Sequence, residues 1–161
     1  MRKNKVYLIE ETLLKNYNKY YKLAFSYVHN DTDAMDIVQE SAYKAIKNAE
    51  SLKDKRYVDT WIYKIVINQC KTFLSKNSKI TDDIEDVNIT FNDKYENIDL
   101  KNALNSLDDD EKAIIILRFF EDLKIEDIAN ILDIKVNTVK SRLYRCLRKL
   151  EDLMEGYRNG A

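Results

Sequence analysis

The sequence predicts an all-α protein of two small helical domains joined by a flexible acidic linker, the C-terminal one built on a helix-turn-helix. Three observations carry that prediction. The 161 residues include no proline and only two glycines, Gly156 and Gly160, and these are the residues that most often punctuate helices and strands. Apolar residues recur at intervals of three and four along most of the chain. The periodicity fails only between Ser75 and Asn97, where polar and acidic residues take over. At 45% hydrophobic and 34% charged residues, the chain has material for a buried core and for long solvated helix faces.

Leu13, Tyr17, Tyr20, Tyr21, Ala24 and Val28 share helical spacing and open the chain as helix. Asn30, Asp31 and Thr32 supply turn and N-cap chemistry. A second helix follows, with Ala34, Val38, Ala42, Ala45 and Ala49 on one face. ESLKDKRY is a polar loop, and the third helix carries Val58, Trp61, Ile62, Ile65, Gln69 and Phe73, a spacing that makes Trp61 a core residue. In the central stretch Val87, Ile89 and Phe91 alternate with polar residues. An extended linker fits this better than a strand, since no partner strand is visible. Helical spacing returns at Leu100, Ala103, Leu104 and Leu107, and EKAIIILRFF is a strongly apolar helix. Two shorter amphipathic helices come last. Ile125, Ile128, Ala129 and Leu132 line the first; Val139, Leu143, Leu147 and Leu150 line the second, with Cys146 beside them. Only DIK and its neighbours separate the pair, the pattern of a helix-turn-helix. The domain limits are then 1–78 and 97–161, with a linker over 79–96.

The formal net charge of −1 hides a strong asymmetry. From Thr81 to Glu111 there are eleven acids against two lysines; from Lys135 to Lys149 there are six bases and no acid. Cys70 and Cys146 lie far apart among apolar helical positions and fit no metal spacing. Each reads as a buried free thiol, which suits a reducing cytoplasm. The N-terminus starts basic, but Glu10 and Glu11 leave no signal-peptide core. No stretch approaches the roughly 20 apolar residues that cross a bilayer. A single histidine, His29, and the lack of any glycine before residue 156 argue against a zinc site and a phosphate-cradling loop. The carboxylates sit in the linker and on helix surfaces without converging, so no catalytic residue, metal or cofactor is expected.

On a helix over residues 136 to 150 the apolar stripe faces the domain. Asn137, Lys140, Ser141, Tyr144 and Arg148 fall opposite, flanked by Arg142, Arg145 and Lys149. Polar side chains for base edges with cations beside them for phosphates make a DNA-reading surface. Its N-terminal residues would enter the major groove, where all base pairs are distinguishable. A solvated basic face is the blander account. It leaves unexplained the preceding short helix, the tight turn and fifteen residues without an acid.

At these residues the chain resembles the extracytoplasmic-function (ECF) family of RNA polymerase sigma factors. SLDDDEKAIIILRFFEDLKIEDIANILDIKVNTVKSRLYRCLRKL resembles the family's C-terminal domain, which reads the −35 promoter element. DAMDIVQESAYKAIKNA and DTWIYKIVINQCKTFL resemble two helices of its N-terminal domain, the second contributing to −10 recognition. The resemblance implies that Asp33, Asp36, Gln39 and Glu40 dock on the β′ clamp helices of core RNA polymerase, the β subunit being a further contact. Their chemistry, an acidic and amide-bearing face, suits a basic partner, though an ordinary solvated face explains it equally well. Leu52 to Lys55 match the loop that captures a flipped −10 base, with Leu52, Lys53 and Lys55 as its candidate contacts, and Asn68 matches a residue that helps recognise it. Unstacking a base costs a few kcal/mol, which stacking, edge hydrogen bonds and a positive groove must return. Lys64 and Lys71, with Arg56, can supply that charge. In the C-terminal domain Thr138, Lys140, Ser141, Arg142, Tyr144 and Arg145 match the −35 contacts, and Arg148 shares their face. Arg118 matches a position typical of the preceding helix, where a phosphate contact and a helix-surface ion pair are both open to it.

Several positions depart from the family pattern. Lys124 and Lys135 stand where serine usually begins the two helices of the motif, Asp133 where the turn usually has glycine, and Leu52 where many relatives have an aromatic. A proline usual near Asp108 is missing. The acidic linker resembles the connector that threads through the polymerase, although a plain soluble tether explains it too. Promoter DNA and core polymerase are the expected partners, with an anti-sigma factor as a further one. Two rivals remain: a stand-alone helix-turn-helix regulator, and a helical interaction bundle that reads no promoter. A lone regulator has no need of the DIVQE and TWIYKIVIN segments.

Overall fold

Asn16 interrupts the first apolar run. In the computed structural model, which describes residues 2–77 and 103–159, α1 (Arg2–Lys15) stops there and α2 (Tyr17–Val28) begins. The single run of the sequence is thus two helices. At the break Asn16 sits at φ −110° and ψ 17°, outside the helical region. Asp59, in the first turn of α4 (Val58–Asn77), accepts from the Asn16 side chain at 3.4 Å and from the Tyr20 hydroxyl.

His29 ends α2 in the left-handed conformation, its N–H donating to Phe25 O at 2.8 Å. Asn30 then caps α3 (Asp31–Lys47), its side chain accepting the Asp33 N–H at 2.9 Å, as the Asn30–Thr32 signal predicted. Helices α2, α3 and α4 pack on one another and α1 covers α3 and α4. Their shared core holds Ile9, Tyr20, Leu23, Ile37, Val38, Tyr63, Val66 and Cys70. The Tyr20 and Tyr63 rings meet edge to face at 5.0 Å, an arrangement the aromatic quadrupole favours.

The buried face of α4 differs from the predicted one. Val58, Ile62, Tyr63, Val66, Ile67 and Cys70 are buried, while Trp61, Ile65, Gln69 and Phe73 are half-buried. Trp61 is therefore a boundary residue. Two apolar stripes lie one residue apart on this helix, and spacing alone does not choose between them.

The chain divides into two compact units, and the second is built around its last helix. Asp108 caps α5 (Asp109–Ile115) by accepting the Glu111 N–H at 2.8 Å. EKAIIILRFF does not stay α-helical. Ile116–Phe120 widens into a π turn, with the Glu121 N–H reaching back to Ile116 O at 3.0 Å. Then come α6 (Ile125–Leu132) and α7 (Val136–Asn159), the latter longer than the sequence predicted. Ile114, Leu117, Ile128, Ile131, Val139 and Cys146 fill the core of this unit. Leu147, expected in the apolar stripe, is exposed. No strand occurs among the described residues. The linker over 79–96, its Val87–Phe91 alternation and Leu100 lie outside them.

Candidate nucleic-acid interface

Three residues set the angle between α6 and α7. Asp133 sits at φ 56° and ψ 45°, donating its N–H to Asn130 O at 3.3 Å, while the Ile134 N–H reaches Ala129 O at 3.0 Å. This is the Schellman arrangement, which satisfies the last carbonyls of a helix. Aspartate tolerates the left-handed region better than most residues, so the turn forms without the usual glycine. Lys124, at the N-cap of α6, makes no side-chain capping bond. Glu126 and Asp127 in the first turn favour the helix dipole instead.

On α7, Val139, Leu143 and Cys146 face inward. Lys140, Ser141, Tyr144, Arg145 and Arg148 are exposed together on the outer side, Tyr144 at 68%. Thr138 and Arg142 are half-buried at its edge. The predicted surface is therefore assembled, less two flanking cations whose ion pairs sequence reasoning missed. Arg142 pairs with Asp110 at 3.8 Å, and Lys149 reaches Glu111 at 3.2 and 3.3 Å. Glu111 is 9% exposed and also accepts from the Cys146 thiol at 3.3 Å. Burial, then the Glu111 carboxylate, push this thiol up to about 12, so it stays protonated and inert. The acid run at residues 108–111 was legible, but its partners lie more than thirty residues away and spacing does not reveal them. Arg118 is held within its own turn, by Leu123 O at 3.3 Å and Asp122 at 3.9 Å.

In the first unit, Asp36, Gln39 and Glu40 are exposed along α3, with Asp33 half-buried at its start. The loop before α4 carries a correction. Leu52 is 2% exposed and anchors the loop inward, because a lone leucine in a polar segment gains most by burial; its side chain offers DNA no surface. Lys53 and Lys55 are exposed beside it, Asn68 and Lys71 are exposed on α4, and Lys64 is half-buried. At the base of the loop Asp54 accepts the Arg56 N–H at 3.0 Å and the guanidinium at 2.8 and 3.2 Å. These bonds hold the Asp54 carboxyl below the usual carboxylate range. The Arg56 guanidinium lies 5.8 Å from the centre of the Tyr57 ring.

Comparison with known proteins covers both units. The family model for Sigma-70 region 2 matches residues 13–80, and that for Sigma-70, region 4 matches residues 98–150. RNA polymerase sigma factor SigV of Bacillus subtilis (strain 168) is 48% identical over 134 residues, covering 80% of this chain and 80% of that protein. The ECF RNA polymerase sigma-E factor of Haemophilus influenzae is 32% identical over 157 residues, covering 86% of this chain and 82% of that protein. The sigma factor RpoE of Bartonella quintana, solved in complex with the anti-sigma factor NepR, matches with a TM-score of 0.77 at 24% identity. That match covers 91% of this chain and 96% of the other.

Proposed function

The chain belongs to the ECF family of RNA polymerase sigma factors, and we propose that its two units read separate promoter elements while riding on core polymerase. As a sigma factor it directs transcription initiation. The domains run over 1–78 and 97–161, with residues 79–96 as the tether. The second unit reads the −35 duplex through Thr138, Lys140, Ser141, Tyr144, Arg145 and Arg148, with Arg142 at the rim. Part of that reading is of DNA shape. The first unit docks on the β′ clamp helices through Asp33, Asp36, Gln39 and Glu40. It holds the melted −10 strand with Lys53, Lys55, Lys64, Asn68 and Lys71. Bond making and breaking belong to the polymerase, and the chain acts as a non-catalytic specificity subunit in the cytoplasm. An anti-sigma factor is a further partner; the Bartonella quintana protein was solved in complex with one, NepR. No described helix is long and apolar enough to cross a membrane.

The observation that carries this reading is the exposed row Lys140, Ser141, Tyr144, Arg145 and Arg148, aimed by the turn at Asp133. A run-off transcription assay with core polymerase tests it. Wild type should direct initiation from a promoter recovered from a randomised library. Lys140→Ala with Arg145→Ala should lose −35-dependent initiation while still co-purifying with core. Undiminished initiation by the double variant would defeat the −35 assignment.

A further inference from the structure

Two outward cations of α7 have inward neighbours. Arg145 precedes Cys146 and Arg148 precedes Lys149, and both neighbours meet one carboxylate of α5, the helix that packs on α7. The Cys146 thiol donates to Glu111 Oε2 at 3.3 Å; the Lys149 ammonium donates to Oε1 at 3.3 Å and to Oε2 at 3.2 Å. Glu111 is almost buried and Cys146 fully so. Apolar packing fades along this stretch of the helix. Val139 and Leu143 are buried, whereas Leu147 is exposed and Leu150 half-buried. A buried carboxylate is a costly way to join two helices, since apolar residues of similar volume often hold them as well or better. What it adds is direction. Apolar contact is non-directional and lets a helix roll, whereas hydrogen bonds weaken steeply as they bend.

We propose that Glu111 is a positioning residue for promoter reading: by gripping Cys146 and Lys149 on successive turns it fixes the roll of α7 and so aims Arg145 and Arg148 at the −35 duplex. The inference rests on the proposed −35 role of that row. With about 3.6 residues per turn, each outward arginine takes its bearing from the tied residue beside it. A small roll of the helix carries both guanidinium groups off their phosphates together while the core of the unit stays closed.

The test replaces the pair by Glu111→Met with Lys149→Met in the full-length protein, assembled with core polymerase on a promoter recovered from a randomised library by the wild type. The exchange keeps the net charge and the volume, and it leaves no freed lysine to make a new phosphate contact. The melting temperature should match or exceed that of the wild type. Promoter binding should nevertheless weaken about tenfold. The slope of log K against log salt should flatten by about 0.9 to 1.8, as one or both arginines leave phosphate. Glu111→Gln with Lys149→Gln keeps hydrogen-bonding groups without the charges and should restore both. A merely structural role predicts the reverse pattern, a lower melting temperature with the wild-type salt slope, because molecules that remain folded keep every contact. That result would overturn the proposal. An amide pair as weak as the methionine pair would do so too, since direction would then not matter. If the methionine pair binds as wild type while Lys140→Ala with Arg145→Ala binds weakly, Glu111 loses its role and the −35 surface stands. Wild-type binding by both would remove the surface itself.

Discussion

Asp133, Asp122 and His29 hold φ of 56°, 55° and 56°, each closing the end of a helical segment. The cause is compositional: the chain has no glycine before residue 156 to take these positions. A left-handed residue with a Cβ costs roughly 1–2 kcal/mol, less for aspartate, whose side chain can bond locally. Asp133→Gly removes the Cβ contact but adds freedom to the unfolded chain. The two terms oppose, and relief of the clash should win by a margin below about 0.5 kcal/mol. The denaturation midpoint of the second unit should rise, with −35 duplex affinity unchanged because Asp133 lies in the turn behind the exposed row. A lower midpoint would show that the aspartate is unstrained there.

At the scale of the element, α7 carries cations with two different jobs. Lys140, Arg145 and Arg148 face outward, whereas Arg142 and Lys149 are tied to Asp110 and Glu111 of α5. The tied pair seats the helix, and the outward row is the one proposed to meet phosphates. Each phosphate contact steepens the dependence of log K on log salt by about 0.9. Arg145→Ala should therefore flatten the slope for −35 duplex binding by about 0.9. Asp110→Ala, which releases Arg142 toward the groove, should steepen it by a similar amount; an unchanged slope would show Arg142 already on the DNA. Apolar spacing on α6 and α7 located the outward face correctly, because each of those helices has one apolar stripe. On α4, where two stripes run side by side, it found Val58 and Ile62 but misplaced Trp61, Ile65, Gln69 and Phe73. The pairs from α5 to α7 were hidden, since they join charges far apart in sequence. Leu52 was misplaced because a loop otherwise polar gives no period by which to orient one leucine.

For the whole molecule, the proposed division of labour predicts that the two units are separable by mutation. Asp36, Gln39 and Glu40 are exposed on a helix whose other side is held in the core by Ala34, Ile37 and Val38, so changing their charge leaves the packing alone. If this face docks on a basic surface, Asp36→Arg turns attraction into like-charge contact, at a cost of several kcal/mol where water is excluded and less at a wet rim. Holoenzyme assembly should weaken about ten- to hundredfold. The Lys140→Ala, Arg145→Ala protein keeps this face and should still occupy core polymerase. Added in excess to a wild-type reaction, it should suppress transcription by capture. The same protein with Asp36→Arg added should not, because it no longer competes for core. The measurement is run-off product against competitor concentration. Equal suppression by both competitors would place the docking surface elsewhere. Suppression by neither would mean that loss of the −35 contacts also costs the protein its hold on the polymerase, and the two units would then not act independently.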